Sequence, residues 1–248
     1  MKERSLLRKP VVLSEPTQRR LAMYALAASA AGVTMMAMEM PAEAKIIYTP
    51  THVTLVPDGA TPIDLNKDGV ADFFLNQYYN HTSDVGMQLS ACQYVYSISG
   101  KFFCYYHRTG ANAIRVTESN KWAKANRFGA IIKAGDRFDR QLPYGGGVRL
   151  GEGGEGSPSF SGPWMDGGKG VKNRYLGLKF KIHERFHYGW ARITVKIDAS
   201  HRVTVILTGY AYETIPGKAI IAGKTKDSDE LPVDTEAGTL GDLARGRK

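Results

Sequence analysis

The sequence predicts an all-β protein: one antiparallel β-sandwich, jelly-roll-like, over residues 45–223, with an N-terminal signal helix and a disordered C-terminal tail. Three observations carry this. Turn formers are abundant, with 27 Gly and 11 Pro in 248 residues, and 13 Tyr suit pleated surfaces. Tyr175, Gly177, Lys179 and Lys181 alternate with Leu176, Leu178, Phe180 and Ile182, the period of two that a half-buried strand requires. Beyond residue 44 no stretch repeats its apolar residues at the helical period.

The first 44 residues read as an export signal. Lys2, Arg4, Arg8, Lys9, Arg19 and Arg20 precede an Ala-rich apolar run from Leu21 to Met38, and Ala42-Glu43-Ala44 then offers small residues where a signal peptidase reads them. Cleavage after Ala44 is expected, leaving Lys45 as the mature N-terminus. The alternative is a membrane anchor, for which a run of this length and composition is marginal. Arg19-Arg20 points weakly to twin-arginine export. The whole chain carries +9, and residues 1–44 hold six basic and four acidic groups, so the mature part carries about +7. That balance attracts phosphate or anionic polysaccharide, or belongs simply to a solvated surface. No compact Lys/Arg run points to nucleic acid.

The mature chain opens on Ile46-Ile47-Tyr48 and His52 to Val56, read as two strands parted by Thr49-Pro50. Asp64-Leu65-Asn66-Lys67-Asp68-Gly69-Val70-Ala71-Asp72 follows, and then a strand from Phe73 to Tyr78. Gln93–Tyr96 and Lys101–Tyr106 flank Ser97-Ile98-Ser99-Gly100 and read as a hairpin; Ala113–Val116 is a further short strand. The hairpin would bring Cys92 near Cys104. In an exported protein these form one disulfide, provided the register turns them to the same side; the alternative is two reduced buried thiols.

From Asp136 to Val171 the chain is glycine-rich, notably Gly145-Gly146-Gly147 and Gly151 to Gly156, which predicts an exposed excursion with Phe160, Trp164 and Met165 folding back. No Lys-Ser/Thr and no helix follow, so a phosphate loop is not indicated. Three strands on short connections then form a meander: Tyr175–Ile182, Tyr188–Ile197 and Val203–Leu207. Pro216-Gly217 marks a turn, and residues 224–248, with five basic and six acidic groups, lack the apolar content to order themselves.

Tyr175-Leu176-Gly177-Leu178-Lys179-Phe180, His187-Tyr188-Gly189-Trp190-Ala191-Arg192, and Tyr210-Ala211-Tyr212-Glu213-Thr214 with Pro216-Gly217 and Ile220-Ile221-Ala222-Gly223 form a recurring pattern. With Tyr48-Thr49-Pro50 ahead of the acidic loop, it resembles a group of exported bacterial β-proteins, many of which carry a C-terminal sorting signal of the PEP-CTERM kind. The resemblance spans most of residues 45–223 and implies location and fold rather than an activity. The C-terminus, Thr239 to Lys248, is basic as such a signal would be, but has neither the Pro-Glu-Pro element nor an apolar helix.

The acidic loop carries the most specific chemistry. Asp64, Asn66, Asp68 and Asp72 stand at positions 1, 3, 5 and 9, Gly69 at the bend of position 6, and the Val70 carbonyl at position 7, the spacing at which hard oxygens wrap one Ca²⁺. Leu75 takes the place of the twelfth-position Glu of an EF-hand, so a short Asp-rich structural calcium loop between strands is expected; the alternative is a turn using Asp, Asn and Gly for their backbone preferences.

Catalytic signals are weaker. His183 and His187 lie four apart, a zinc spacing only on a helix, and here they surround a turn. Asp136, Asp139, Glu152 and Glu155 are candidate glycosidase carboxylates or solvated loop acids. Tyr94, Tyr96, Tyr105, Tyr106, Trp164 and Trp190 suit either a sugar-stacking platform or a core. The expectation is therefore an exported, non-enzymatic protein acting in binding or assembly at or outside the cell envelope, its partner an extracellular polysaccharide or another envelope protein. The alternative is a secreted glycan-active hydrolase or carbohydrate-binding module.

Overall fold

A computed structural model describes residues 44–80, 86–105, 111–119, 122–140, 147–154 and 157–226. The expected signal segment up to Glu43, and the tail from Asp227 onward, lie outside the described residues. The described residues belong to one compact unit that begins at Ala44. None of their helices is long and apolar enough to cross a membrane.

In chain order the strands are β1 (Ile46–Thr54), β2 (Ala60–Ile63), β3 (Phe73–Asn80), β4 (Gly86–Cys92), β5 (Tyr94–Ile98), β6 (Lys101–Tyr105), β7 (Ala113–Arg115) and β8 (Ala125–Asn126). They continue with β9 (Ile131–Ile132), β10 (Phe138–Asp139), β11 (Val148–Gly154), β12 (Ser157–Ser161), β13 (Val171–Ile182), β14 (Arg185–Ile197), β15 (Val203–Glu213) and β16 (Ile220–Ile221). Among the described residues one 3₁₀ turn spans Asp166–Gly168. The larger sheet runs β1-β15-β14-β13-β7-β10, with β8 also on β13; the smaller runs β12-β11-β4-β3-β2. All pairings in the two are antiparallel.

The two sheets share one core. Phe73, Leu75, Leu89, Ala91 and Leu150 of the smaller sheet pack with Leu176, Leu178, Phe180, Ile193, Val195 and Leu207 of the larger. The β13–β15 meander is as the alternation predicts, with Ile182 facing Arg185 across a two-residue turn. The strand order is not that of a jelly roll, whose successive strands form Greek keys. Short connections instead keep β13-β14-β15 together in one sheet and β2-β3-β4 together in the other.

The larger sheet is also covered in part on its outer face. Tyr175, Tyr188, Trp190, Ala211 and Ile46 form a second apolar cluster under Ile132, Ile220 and Ala222, where β9 pairs β16. This is why Tyr175, on the side of β13 opposite the main core, is only 4% exposed.

Two expectations are corrected. Residues 46–54 form one strand rather than two: Pro50 stays within β1 because β1 lies at the sheet edge, where a missing N–H costs no ladder bond, and the pairing with β15 shifts between Pro50 and Val53. The described part of the glycine-rich stretch is not an exposed excursion. Val148–Gly154 is β11, paired with β4 inside the smaller sheet, and Val148 and Leu150 are fully buried. Glycine is required there by close approach: a Cβ on Gly151 would stand 2.5 Å from Met165 Cγ, and one on Gly153 would collide with the Ser159 carbonyl oxygen. Trp164 and Met165 do fold back, both fully buried.

Candidate functional site

The acidic loop joins β2 to β3. Its ends are pinned by the Ile63–Phe73 pair and by the Asp72 N–H, which donates to the Ile63 carbonyl at 2.9 Å. Ile63, Leu65 and Phe73 are buried, so the loop is anchored from below. Above them the backbone wraps around carboxylates. Asp64 accepts N–H bonds from Lys67 (2.8 Å) and Gly69 (2.9 Å), Asp68 from Val70 (2.8 Å), and Asp72 from Leu65 (2.8 Å). The Asn66 amide donates to Asp68 at 2.8 Å. Lys67 and Gly69 take φ of 60° and 88°, and the second of these is the bend that the sequence assigns to glycine.

The electrostatics are those of crowded acids. Burial pushes the Asp72 carboxyl up to about 6; the Leu65 N–H opposes that, while Asp64 and Asp68 add repulsion. The Val70 N–H and the Asn66 amide hold Asp68 below its ordinary value. The same negative charge reaches β15: burial, then the nearby Asp64 and Asp72, raise Tyr210, and burial, then Asp72, raise Tyr212.

Every donor the loop offers, including the Val70 carbonyl, is a hard oxygen, which suits Ca²⁺ or Mg²⁺ and not a thiophilic metal. Among the described residues no three His, Cys, Asp or Glu side chains converge at coordination distance. In this geometry the carboxylates are turned onto N–H groups of their own loop. Leu75 is buried within β3, so the EF-hand context is absent as expected.

Because the folded pKa of Asp72 lies above its ordinary 3.8, the folded chain keeps a proton that the unfolded chain has released. In the ion-free protein this contribution is full below about pH 4 and lost as pH rises through about 6. The melting midpoint of Asp72→Asn in EDTA is therefore expected to gain on wild type across that window; parallel curves would refute it.

Cys92 and Cys104 form a disulfide, with Cα atoms 5.7 Å apart. Cys92 ends β4, and Cys104 stands opposite Val95 in the β5–β6 hairpin, whose turn residues Ser99 and Gly100 both take positive φ. The bridge fastens that hairpin over the outer face of the smaller sheet. The Asn76 side chain donates to the Phe102 carbonyl at 2.8 Å, and the Tyr78 and Phe103 rings lie 4.8 Å apart.

The remaining candidates disperse. Asp136 is held by Arg115 at 2.7 Å, Glu152 by Arg149 at 2.9 Å, and Asp139 accepts the Arg140 N–H at 2.7 Å; Glu155 lies outside the described residues. His183 is exposed in a turn, while His187 is buried with Nδ1 2.9 Å from the Glu213 carbonyl oxygen. Trp164 and Trp190 are core. Tyr96 is exposed but stacked on Phe103 within the hairpin; the Tyr105 and Tyr106 side chains lie outside the described set.

A pair the sequence does not suggest is Asp58 with Asp198, which line one cavity of about 550 Å³. They are far apart in the chain, so no local pattern announces them. Asp58 accepts the Tyr79 N–H at 2.9 Å and pairs with Lys101 at 3.3 Å. Asp198 pairs with Arg202 at 3.0 Å, and the Arg202 backbone N–H, opposed by desolvation, leads in holding it below its ordinary value, the opposite of a general acid.

No protein-family model, no curated protein and no solved structure matches the chain.

Proposed function

We propose that this is an exported protein that works by binding or assembly at or outside the cell envelope, with a structural Ca²⁺ held by Asp64, Asn66, Asp68, Asp72 and the Val70 carbonyl. The observation that carries the export reading is the Cys92–Cys104 disulfide, since such bonds persist in oxidising compartments. The compact unit begins at Ala44, beside the signal-peptidase pattern, and Lys45 is tied to Thr214 through both its N–H and its carbonyl at 3.0 Å. The likeness to exported bacterial β-proteins of the PEP-CTERM-bearing kind supports the same placement.

The calcium reading rests on a loop whose ends two paired strands hold. Little chain entropy then remains to be lost on binding, and an ion would offset the burial and, beside it, the Asp64 and Asp68 repulsion that raise Asp72. Extracellular sites of this kind work at ~10⁻⁴–10⁻³ M. Calcium at ten times its dissociation constant is expected to stabilise the chain by about 1.4 kcal/mol, a rise of a few degrees in melting midpoint. EDTA and Asp64→Asn/Asp68→Asn should each abolish the rise. An unchanged midpoint at millimolar Ca²⁺, with no heat of binding, would remove the calcium assignment.

A glycan-active hydrolase is the second reading: Asp58 and Asp198 line one cavity, where Asp198, held ionised, would serve as base or nucleophile and not as the acid. Glycan-array and pull-down screens with the full chain separate the two: turnover of a captured glycan, lost in Asp58→Asn or Asp198→Asn, selects the hydrolase.

A further inference from the structure

The outer face of the larger sheet is divided. At one end Tyr175, Tyr188 and Trp190 are roofed by the second apolar cluster. The other end has no such roof among the described residues and forms an open cavity of about 600 Å³ lined by His52, Lys169, Lys172, Lys196, Thr194 and Thr208 among others. Arg192, Thr194 and Lys196 share this face, because Ile193 and Val195 between them point into the main core. Among the described residues no carboxylate and no Phe, Tyr or Trp lines the cavity.

Six cations elsewhere are already balanced, and others, Lys124 and Lys133 among them, have no ion pair among the described residues; what distinguishes the cavity is that its unpaired lysines line one space. Arg115, Arg149, Arg202, Lys101, Lys181 and Lys218 each hold a carboxylate. Lys169, Lys172 and Lys196 pair with none among the described residues. Arg192, at the border of the roofed half, spends its donors on neutral oxygens: the Thr208 hydroxyl (2.8 Å), the Thr208 carbonyl (2.9 Å) and the Tyr48 hydroxyl (3.2 Å). A half-buried guanidinium with only neutral partners is a charge that an incoming anion would complete.

We propose that this half-face binds an acidic polysaccharide through its carboxylate or sulfate groups, with Lys172, Lys196 and Lys169 as contact cations and Arg192 as the anchor at the closed end. The proposal deepens the binding function put forward above and rests on it. The spacing favours a polymer: Arg192 and Lys196 are four residues apart on an extended strand, about 13 Å, so one small anion touches only one of them. The lining holds no Phe, Tyr or Trp and a single imidazole, His52, so it lacks the row of stacking rings that single-stranded nucleic acid uses. Of the apolar lining residues Val195 and Ile206 are buried and Val171 and Ile197 half-buried, so the lining presents no fully exposed apolar side chain to insert into lipid.

The test measures binding of the full chain to polygalacturonate, dextran sulfate and neutral dextran, with double-stranded DNA and phosphatidylcholine–phosphatidylglycerol vesicles as competing classes. Wild type is expected to bind the two acidic polysaccharides, not neutral dextran, and to release them at high salt. Lys172→Glu/Lys196→Glu should lose about tenfold or more in affinity, equivalent to about 1.4 kcal/mol. Lys124→Glu/Lys133→Glu carries the same charge change away from the cavity and should stay within about twofold. Both lysines of the test pair are exposed, and matching melting curves would show that the fold is kept. Equal loss in both double variants would reduce the effect to net charge and overturn the site. Tighter binding to DNA or vesicles would overturn the ligand class, and failure to bind any acidic polysaccharide would overturn the proposal outright. Capture of a neutral glycan or an envelope protein in that last case would leave the broader binding function standing.

Discussion

Replacing Trp164 by alanine is expected to remove about 3–5 kcal/mol of stability, the range for truncating a buried Trp in a core. That is a large part of the 5–15 kcal/mol that holds a typical domain together. Trp164 has no exposed surface, and its indole Nε1–H donates to the Ala123 carbonyl at 3.0 Å. The truncation therefore opens a cavity between Met165 and the sheets and also leaves that carbonyl without its partner. Trp164→Phe keeps much of the volume and loses mainly the hydrogen bond, so about 1–2 kcal/mol is expected. Guanidinium unfolding of both variants reads the difference as a shift in midpoint at constant slope. A loss under about 1 kcal/mol for the alanine variant would mean that the segment after β12 is not part of the core.

Loss of the Cys92–Cys104 bond should have the next largest effect. The residues are 12 apart, and a ring of that size constrains the unfolded chain by about 3 kcal/mol. For a domain of this size the melting midpoint should fall by roughly 6–12 °C in Cys92→Ser/Cys104→Ser or under reductant. The hairpin bears Tyr96, Ile98 and Phe102 at 44%, 58% and 37% exposure, so loosening it should bring protease cleavage first to residues 94–105. An unchanged midpoint in protein shown to carry two thiols would count against this role.

The parts legible in the sequence are those whose physics is local. The β13–β15 meander was readable from its alternation and short turns, because adjacent strands need no information from elsewhere. The Asp64–Asp72 loop was readable because all its oxygens and its bend lie within nine residues. The cysteine hairpin was readable in outline, but its bridge needed the register that sets Cys104 opposite Val95 and the end of β4 that brings Cys92 above it.

Glycine misled where its cause was distant. Gly151 and Gly153 read as breakers, yet they are glycine because Met165 and the Ser159 backbone press against β11. Pro50 misled for a similar reason, since only the sheet order shows that β1 is an edge. The candidate binding groups were the least legible. His52, Lys169, Lys172 and Lys196 come from separate stretches of the chain, and nothing in their sequence neighbourhoods sets them apart from other surface cations.

By itself, then, the sequence determined an all-β chain, its longest meander, and a loop of hard oxygens between two strands, because propensity, alternation and turn chemistry act over a few residues. The tertiary structure alone decided which sheet face is roofed and which is open, which carboxylates are already paired, and which cations are left without an anion. Those are properties of packing between residues remote in sequence, and burial and charge balance arise only when the sheets come together.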